Sequence, residues 1–405
     1  MSSNKKNNSN LLFTLMMISL FGNACADYAL LWYSIDTLNL NTAIAGNNVS
    51  TFYIGQAIGA ICLAPFLAVT FDKLPKLFGC YFLDIFYGFI LLILGYLFSI
   101  NHLTPISILV LAALLSAISI VYRSAVGFSL VSSLKDSKNL IPKFVTALTL
   151  SNMLGAAVAG SIYQLIGFQG AVIIGIVTFL PIMAYYHTVF NNVSEERTII
   201  KTGYFHDLKE SFLFLLKNKT ILYIASSLAI FNMSGAFFPA LMGIALKKYT
   251  SGGSVYFGVL VGAGLLISIS LLKILDKYSR KLKLNQIIAI SIAPCLIIAL
   301  ISLNIPHYVP FVLLYFFACI GSSLRNVSTG NLRIKIVPKD KIGRVNTLYT
   351  IFLYSGQITG SFLIVPFFVT DIKKALIVMC IVMVAAMLFS LLSLDKKNLQ
   401  DVLDA

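Results

Sequence analysis

Two short charged segments, D-K-L-P-K at 72–76 and D-K-Y-S-R at 276–280, begin 204 positions apart in a chain that is otherwise mostly apolar. Each follows one long hydrophobic stretch and precedes another. Arg123 and Arg325, and likewise Asp136 and Asp340, recur at nearly the same offset. A half that is duplicated within a hydrophobic chain is typical of proteins built from membrane-embedded repeats. The repeat therefore predicts two similar halves with a pathway between them.

The composition agrees with a membrane protein. Hydrophobic residues make up 58% of the chain and charged residues only 11%, which is unusual for a soluble domain. Apolar stretches long enough to cross a bilayer as helices recur at 12–34, 48–70, 78–99, 106–130, 144–166, 170–190, 220–245, 255–275, 285–304, 308–330, 346–369 and 374–394. We therefore predict an all-α integral membrane protein with twelve transmembrane helices, arranged as two six-helix repeats around a central cavity.

The longest hydrophilic stretch, 191–219, separates an amino-terminal bundle at 1–190 from a carboxy-terminal bundle at 220–405. Within it Phe205, Leu208, Phe212, Leu215 and Leu216 recur at helical spacing. This pattern predicts an amphipathic helix on the inner membrane face, whose simplest role is to connect the halves.

The net charge of +15 follows a topological pattern. If the amino terminus is cytoplasmic, most basic residues lie in inside segments, and the outside loops hold only Lys247, Lys248, Lys373 and Lys374. The positive-inside rule then predicts that both termini are cytoplasmic, and the charge implies no nucleic-acid partner. Abundant lysine, asparagine and isoleucine with few arginines are typical of an AT-rich bacterial genome, which predicts a multi-pass protein of the bacterial plasma membrane.

The first charged segment resembles the signature loop of the major facilitator superfamily, Gly-x-x-x-Asp-Arg/Lys-x-Gly-Arg/Lys-Arg/Lys. Asp72, Lys73 and Lys76 match this pattern, whereas Ala68 and Pro75 replace its two glycines. The second charged segment is a weaker copy. The resemblance covers nearly the whole chain, and it implies a monomeric carrier that moves a small molecule between two halves.

The first span is similar to one branch of this superfamily, the macrolide-efflux and siderophore-export carriers. The similarity rests on F-G-N-A at 21–24 followed by Asp27, on Asp84 early in the third span, on Gly155 to Gly160 in the fifth span, and on G-R-V at 343–345. The fifth span lacks the proline of the Gly-Pro-x-x-x-Gly pattern that antiporters often carry there. The branch implies proton-driven export.

Charged side chains within spans cost about 2.5–3.5 kcal/mol each on insertion scales, so each needs a physical reason. The superfamily resemblance implies an inner-face latch in which Asp72 pairs with Arg123 and Asp276 pairs with Arg325. Asp84 lies at a similar depth to Arg123 and is an alternative to Asp72 as its partner. In the alternative without a latch, each arginine extends to lipid phosphate and pairs with no acidic residue. The predicted gate also contains the neighbouring loop cations Lys73, Lys76, Lys277 and Arg280.

Asp27 is the most informative charge because its span contains no lysine or arginine. Asn23, Asp27 and Ser34 form a polar stripe on one helix face. A lone carboxyl group in apolar surroundings can load and release a proton. The resemblance implies that spans one, four, seven and ten line the cavity, so we predict that Asp27 couples protons or binds a cationic substrate. A structural carboxyl group bonded to a neighbouring helix is the alternative, and Asp36 near the outer end is predicted to be solvated.

Asn232 and Phe237 in span seven and Tyr315 in span ten are further cavity candidates. A polar group beside aromatic rings suits an amphipathic organic molecule. For each of these residues, helix packing is the alternative explanation.

The sequence contains no phosphate-binding loop, no nucleophile elbow and no His-Glu-x-x-His or Cys-x-x-Cys motif. We therefore predict that the chain is not an enzyme and uses no cofactor or metal. Two functions remain: proton-driven export of an amphipathic small molecule, such as a drug or a siderophore-like metabolite, and proton-coupled uptake of a nutrient. In both, the partners are a small-molecule substrate, protons and the lipid bilayer.

Overall fold

The computed structural model describes residues 2–37, 46–72, 76–122, 137–190, 204–251, 253–279, 284–305, 307–337, 342–364, 367 and 371–393. Its helices are α1 (Ser2–Asp36), α2 (Gly46–Ile58), α3 (Ala64–Asp72), α4 (Lys76–Ser99), α5 (Pro105–Val121), α6 (Ser137–Ile166), α7 (Phe168–Phe190), α8 (Tyr204–Lys217), α9 (Lys219–Gly235), α10 (Phe238–Tyr249), α11 (Gly253–Ser279), α12 (Leu284–Ser302), α13 (Val309–Ile336), α14 (Ile342–Leu363) and α15 (Ile372–Ser393). No strand occurs in these residues, and the all-α prediction is confirmed.

The helices have the dimensions of membrane spans. Seven helical segments of the described chain are long and apolar enough to cross a bilayer, and four further apolar helices are shorter. Together with α14, which covers most of the predicted eleventh span, they correspond to the twelve predicted spans.

Helix α4 illustrates how a span divides its surface. Phe82, Phe86 and Phe89 follow helical spacing and are exposed, whereas Leu83 and Tyr87 are buried. An exposed apolar stripe of this kind is unfavourable in water but is well solvated by lipid chains. The stripe therefore faces lipid, and the opposite side of α4 packs into the bundle.

The seventh span is interrupted, whereas the sequence analysis treated 220–245 as continuous. Helix α9 ends at Gly235, and α10 begins at Phe238 with Pro239 in its first turn. Proline lacks a backbone N–H, and its ring clashes with the carbonyl four residues earlier, which here belongs to Gly235. A regular helix therefore cannot continue through this point.

The second span also departs from regular geometry. A π-helical turn, Gly59–Leu63, joins α2 to α3, and the N–H of Ala64 donates to the carbonyl of Gly59. Pro65 follows at once and cannot donate the next helical hydrogen bond, so the wider turn forms where the regular ladder is broken.

Two glycines bring this span against α5. A Cβ atom on Gly55 would lie 2.4 Å from the Leu109 carbonyl oxygen, and one on Gly59 would lie 2.0 Å from that of Ala113. Only glycine permits so close an approach of the two backbones. The contact fixes the position of α2 relative to α5.

The two halves repeat one packing pattern. Helix α1 packs on α6 and α7, α2 on α5, and α4 on α7; correspondingly, α9 packs on α14 and α15, α11 on α13, and α12 on α15. The halves meet where α6 contacts α11, α2 contacts α14, and α1 contacts α10. The packing therefore has the twofold repeat that the two charged segments predicted.

Helix α8 occupies the stretch in which an amphipathic helix was predicted. Leu215 is fully buried, whereas Phe212, Leu213 and Leu216 are exposed, and the helix contacts α9 and α14. An exposed apolar face on a short helix beside the bundle is typical of helices that lie on a membrane surface.

Candidate functional site

Asp27 lies within the part of α1 that its neighbours enclose most tightly. Ala24, Cys25 and Ala26 are fully buried. Gly155 of α6 packs so closely that an added Cβ would lie 2.5 Å from the Cβ of Ala24. Helix α1 is thus held firmly in the interior, and Asp27 itself is half-buried.

The Asp27 carboxylate has a fixed partner on α4. The Tyr87 hydroxyl donates to Asp27 Oδ1 at 3.0 Å and lies 3.3 Å from the carbonyl oxygen of Asn23. The Tyr87 ring is 1% exposed and stacks on Phe179 of α7, with 5.5 Å between the ring centroids. Because packing fixes the ring, the hydroxyl orients one carboxylate oxygen.

Asp27 borders a cavity of about 120 Å³. Helices α1, α2, α5 and α14 supply its lining, which consists of Asp27, Leu30, Phe52, Gln56, Ala112, Leu115, Ser116, Ser119, Ile120 and Tyr354. Among these residues Asp27 carries the only charge, beside two aromatic rings, an amide and hydroxyl groups. A carboxylate beside aromatic rings suits a cationic or neutral group better than an anion. Drug-sized ligands occupy about 300 Å³ or more, so this conformation accommodates only part of such a molecule.

Neutral amides connect the halves at the cavity wall. Gln357 of α14 donates to the Tyr53 carbonyl oxygen at 3.0 Å and lies 3.5 Å from Gln56 Oε1. Ser116 of α5 donates to the Gln56 carbonyl oxygen at 2.9 Å. Neither glutamine was predicted from the sequence, since an uncharged amide in a span gives no signal until its packing is known.

The predicted polar stripe on α1 divides into two parts. Ser34 donates to the Leu30 carbonyl oxygen of its own helix at 2.9 Å. Asn23 is 6% exposed, and its Oδ1 atom has no hydrogen-bond partner among the described residues. The stripe thus contains one buried acceptor close to Asp27.

The other predicted cavity residues lie in contacts between helices. Asn232 donates to a backbone carbonyl of α14 at 3.3 Å, and Tyr315 donates to one of α11 at 3.4 Å. Phe237 is fully buried, with its ring centroid 4.8 Å from that of Tyr53. None of the three lines the cavity beside Asp27. The lining of this cavity comes from spans one, two, four and eleven, whereas spans one, four, seven and ten were predicted to line it. A substrate role for these residues stays a prediction.

The predicted latch falls mostly outside the described side chains. For four of its residues the structure describes the helix but not the side chain: Asp72, Lys76, Asp276 and Lys277. Three more lie outside the described residues: Lys73, Arg123 and Arg280. The Asp72–Arg123 and Asp276–Arg325 pairs therefore stay predictions. Asp84 is described, is 1% exposed, and accepts a hydrogen bond from the Ser19 hydroxyl at 3.2 Å.

Arg325 is 6% exposed in the interior of the second half. Its Nη1 atom donates to Ser291 Oγ of α12 at 2.8 Å, and its guanidinium carbon lies 4.3 Å from the ring centroid of Phe231 on α9. Arg325 thus joins α9, α12 and α13.

Replacement of Arg325 by alanine is expected to lower the unfolding temperature of the purified protein by on the order of 5 °C. The variant loses a desolvated cation–π contact of about 2 kcal/mol and a charge-assisted hydrogen bond of about 1.5–3 kcal/mol. Ser291→Ala removes only the hydrogen bond and should have a smaller effect. Equal unfolding temperatures for Arg325→Ala and the parent would contradict this structural role.

At the end of the bundle where α1 terminates, an ion pair connects the halves. Lys247 Nζ of α10 lies 3.4 Å from Asp36 Oδ1 and also contacts the carbonyl oxygen of Asp36. The Tyr163 hydroxyl of α6 donates to Asp36 Oδ2 at 3.2 Å. Asp36 is exposed, as predicted, but it is not an isolated solvated group. We call this region the Asp36 end.

Two aromatic residues close the Asp36 end beneath the ion pair. The Trp32 ring of α1 is 5% exposed and lies 5.2 Å, centroid to centroid, from Phe257 of α11. Trp32 is the single tryptophan of the chain. Its fluorescence therefore reports whether this end is packed or opened to water.

Replacement of Lys247 by glutamate is expected to shift the Trp32 emission of the purified protein to longer wavelength. A partly exposed ion pair contributes only about 0.2–1 kcal/mol, so its loss should lower the ratio of closed to open protein by up to about fivefold, and repulsion between the introduced glutamate and Asp36 adds to this effect. The double variant Asp36→Lys with Lys247→Glu should restore the parental spectrum, whereas Lys248→Glu, one residue away, should leave it unchanged. Identical emission from Lys247→Glu and the parent would show that the pair does not stabilise closure.

A helical bundle of two repeats around a cavity is the architecture of many secondary transporters. The sequence matches the profile of the Major Facilitator Superfamily over residues 12–361, so the chain belongs to this superfamily and is a membrane transporter rather than an enzyme. A search of curated protein sequences finds no significant match.

Several solved transporters share the fold. A variant of the nucleoside transporter NupG superposes with a TM-score of 0.73 at 14% identity, covering 95% of this chain and 100% of that one. A bacterial homologue of the human lysosomal transporter Spinster, inward-facing, gives 0.68 at 10% identity and 98% of both chains. A bacterial homologue of the iron transporter ferroportin, also inward-facing, gives 0.66 at 16% identity, covering 95% of this chain and 99% of that one. At such identities the likeness establishes the fold alone.

Proposed function

We propose that the protein is a secondary active transporter that exports an amphipathic small molecule across the plasma membrane in exchange for protons. The observation that carries this proposal is the Asp27 carboxylate, which borders an interior cavity and is oriented by Tyr87. A carboxyl group in such surroundings can bind a proton or a cationic group of the cargo, but not both at once. Competition between the two couples their movements.

The cavity lining supports an amphipathic cargo. Phe52 and Tyr354 supply aromatic surface, and Ser116, Ser119 and Gln56 supply neutral hydrogen-bonding groups. An amine at Asp27 with an apolar body between the rings would match this arrangement. The remainder of a drug-sized molecule needs a wider opening between the halves.

The contacts at the Asp36 end support alternating access. Lys247 with Asp36, and Trp32 with Phe257, join the halves in the present conformation. Separation of these contacts would open the cavity at this end. We propose that the Asp36 end faces outward, because the loops at the opposite end carry most of the basic residues.

The direction of transport is proposed from the resemblance of the first span to efflux and siderophore-export carriers. The same carboxylate would serve proton-coupled uptake equally well. Of the solved transporters above, NupG is named a nucleoside transporter and another is named a homologue of an iron transporter, but their low identity supplies no argument for the cargo of this chain.

Untargeted mass spectrometry of culture medium and cells, from a deletion strain and its parent grown without added iron, tests the proposal. Export predicts that one compound disappears from the medium and accumulates in the deletion cells, and that the intact gene restores it. A variant gene encoding Asp27→Asn should not restore it. Depletion of a nutrient inside the deletion cells would instead identify uptake and overturn the export proposal.

A further inference from the structure

A ladder of polar side chains crosses the contact between α1 and α4. On α1, Ser19, Asn23 and Asp27 lie four residues apart and therefore share one helix face. On α4, Asp84 and Tyr87 lie three residues apart. Ser19 donates to Asp84 at 3.2 Å, and Tyr87 donates to Asp27 at 3.0 Å, so both ends of the ladder are hydrogen-bonded.

The ladder is buried apart from its cavity end. Ser19 is 0%, Asn23 6%, Asp84 1% and Tyr87 1% exposed. Polar groups in a dry interior are costly unless they are hydrogen-bonded, so a continuous row of them needs a reason. Asn23 lies between Ser19 and Asp27 on this face of α1, and its Oδ1 acceptor has no partner among the described residues. A buried acceptor beside other polar groups fits a hydrogen bond from a water molecule.

We infer that Asp84 is a second proton-binding group and that it exchanges protons with Asp27 along this ladder. The inference rests on the proposed proton coupling. In each transfer one carboxyl group loses its proton and becomes a carboxylate, while the other carboxylate becomes a carboxylic acid. Ser19, Tyr87 and a water molecule held by Asn23 donate and accept in turn and end unchanged. Ser19, which binds Asp84, and Asp27 lie eight residues apart on α1, which corresponds to a rise of about 12 Å along the helix. Asp84 therefore extends the proton site away from the cavity.

Other ionisable groups on the surrounding helices do not offer an alternative acid. In the described side chains of α1, α2, α4, α5, α6 and α7, of the π-helical turn at 59–63 and of the residue after α5, the remaining titratable residues are Cys25, Tyr28, Tyr33, Asp36, Tyr53, Cys62, Cys80, Tyr81, Tyr96, Tyr122, Tyr163 and Tyr185. Tyrosine and cysteine are ordinarily neutral near pH 7, and Asp36 lies at the distant end of α1. Arg123, which follows α5, lies outside the described residues.

Infrared difference spectroscopy of the purified protein in lipid nanodiscs, titrated from acidic to alkaline pH, tests the inference without a substrate. The bands of protonated carboxyl groups are assigned by single substitutions. Asp84→Asn should remove one titrating band and Asp27→Asn another. Asp84→Asn should also lower the titration midpoint of the Asp27 band by about one pH unit, which is the interaction of two charges about 12 Å apart at an effective dielectric constant of about 20.

Asparagine can still accept the Ser19 hydrogen bond, so the contact between α1 and α4 is kept. An Asp84 with a purely structural role would not titrate, and its replacement would leave the number of titrating bands unchanged. Ser19→Ala keeps both carboxyl groups but removes the hydrogen bond to Asp84, so it should change only the frequency of the Asp84 band. This variant identifies the Asp84 band if Asp84→Asn does not fold. Ser34→Ala, on the same helix but outside the ladder, is the matched control and should change neither band.

The inference is overturned if Asp84→Asn removes no titrating band, or if it removes one without moving the Asp27 midpoint. An absent Asp27 band in the parent would instead refute the proposed function. A titrating band that Asp84→Asn removes would then still show that Asp84 binds a proton, but exchange with Asp27 would be excluded.

Discussion

Replacement of Asp27 by asparagine is expected to reduce transport driven by a pH gradient to the background of empty liposomes. Asparagine has nearly the same shape and can still accept the hydrogen bond from Tyr87, so the hydrogen bond that joins α1 to α4 should remain intact. It cannot bind or release a proton, and it removes the single charge of the described cavity lining. The variant therefore separates the loss of coupling from a loss of structure.

The measurement uses purified protein in liposomes, an imposed pH gradient, and the compound identified by mass spectrometry. Asp371→Asn is the matched control, because it makes the same chemical change at the exposed start of α15, outside the cavity, where asparagine can still accept the backbone N–H bonds of Lys373 and Lys374. Tyr87→Phe should have an intermediate effect of about tenfold or more, since a hydrogen bond to a charged group contributes about 1.5–3 kcal/mol. Concentrative transport by Asp27→Asn at the parental rate would exclude Asp27 as the coupling group.

Much of the architecture was predictable because membrane insertion imposes strong local rules. The charged segments at 72–76 and 276–280 interrupt long apolar stretches, and their spacing predicted both the helical class and the repeat. The break at Pro239 was also predictable from the sequence, because the missing backbone N–H of proline and the clash of its ring with the Gly235 carbonyl are local effects. The apolar stretch at 220–245 continues across this point, so hydrophobicity alone gives no sign of the break.

The candidate site was predictable only in part. Asp27 was found because an isolated carboxyl group in a span is costly and therefore informative. The partner of Asp27 was not predicted, since Tyr87 is one of 19 tyrosines and only its position opposite α1 in the folded chain distinguishes it. Lys247 and Asp36 lie 211 positions apart, so their pairing depends on how the two halves meet. Charge and hydrophobicity reveal costly residues, whereas partners depend on long-range packing.

Replacement of Gly160 by alanine is expected to abolish transport and to open the Asp36 end. A Cβ at this position would lie 2.0 Å from the Ser254 carbonyl oxygen of α11, well inside the ordinary contact distance of at least 3.4 Å. The opposing atom belongs to the backbone, so no side chain can rotate away. Gly258 on α11 faces the same contact, with an added Cβ 2.6 Å from the Ala156 carbonyl oxygen. The two helices must therefore move apart.

Trp32 provides the measurement, because its ring packs on Phe257 of α11 close to this contact. Gly160→Ala should shift its emission to longer wavelength, and transport should cease because the closed state is lost from the cycle. Gly88→Ala is the matched control: it adds the same methyl group to α4, where no heavy atom lies within 4 Å of the new Cβ. Parental emission and transport in Gly160→Ala would mean that α6 and α11 can separate without cost, and that their close packing is not what closes this end.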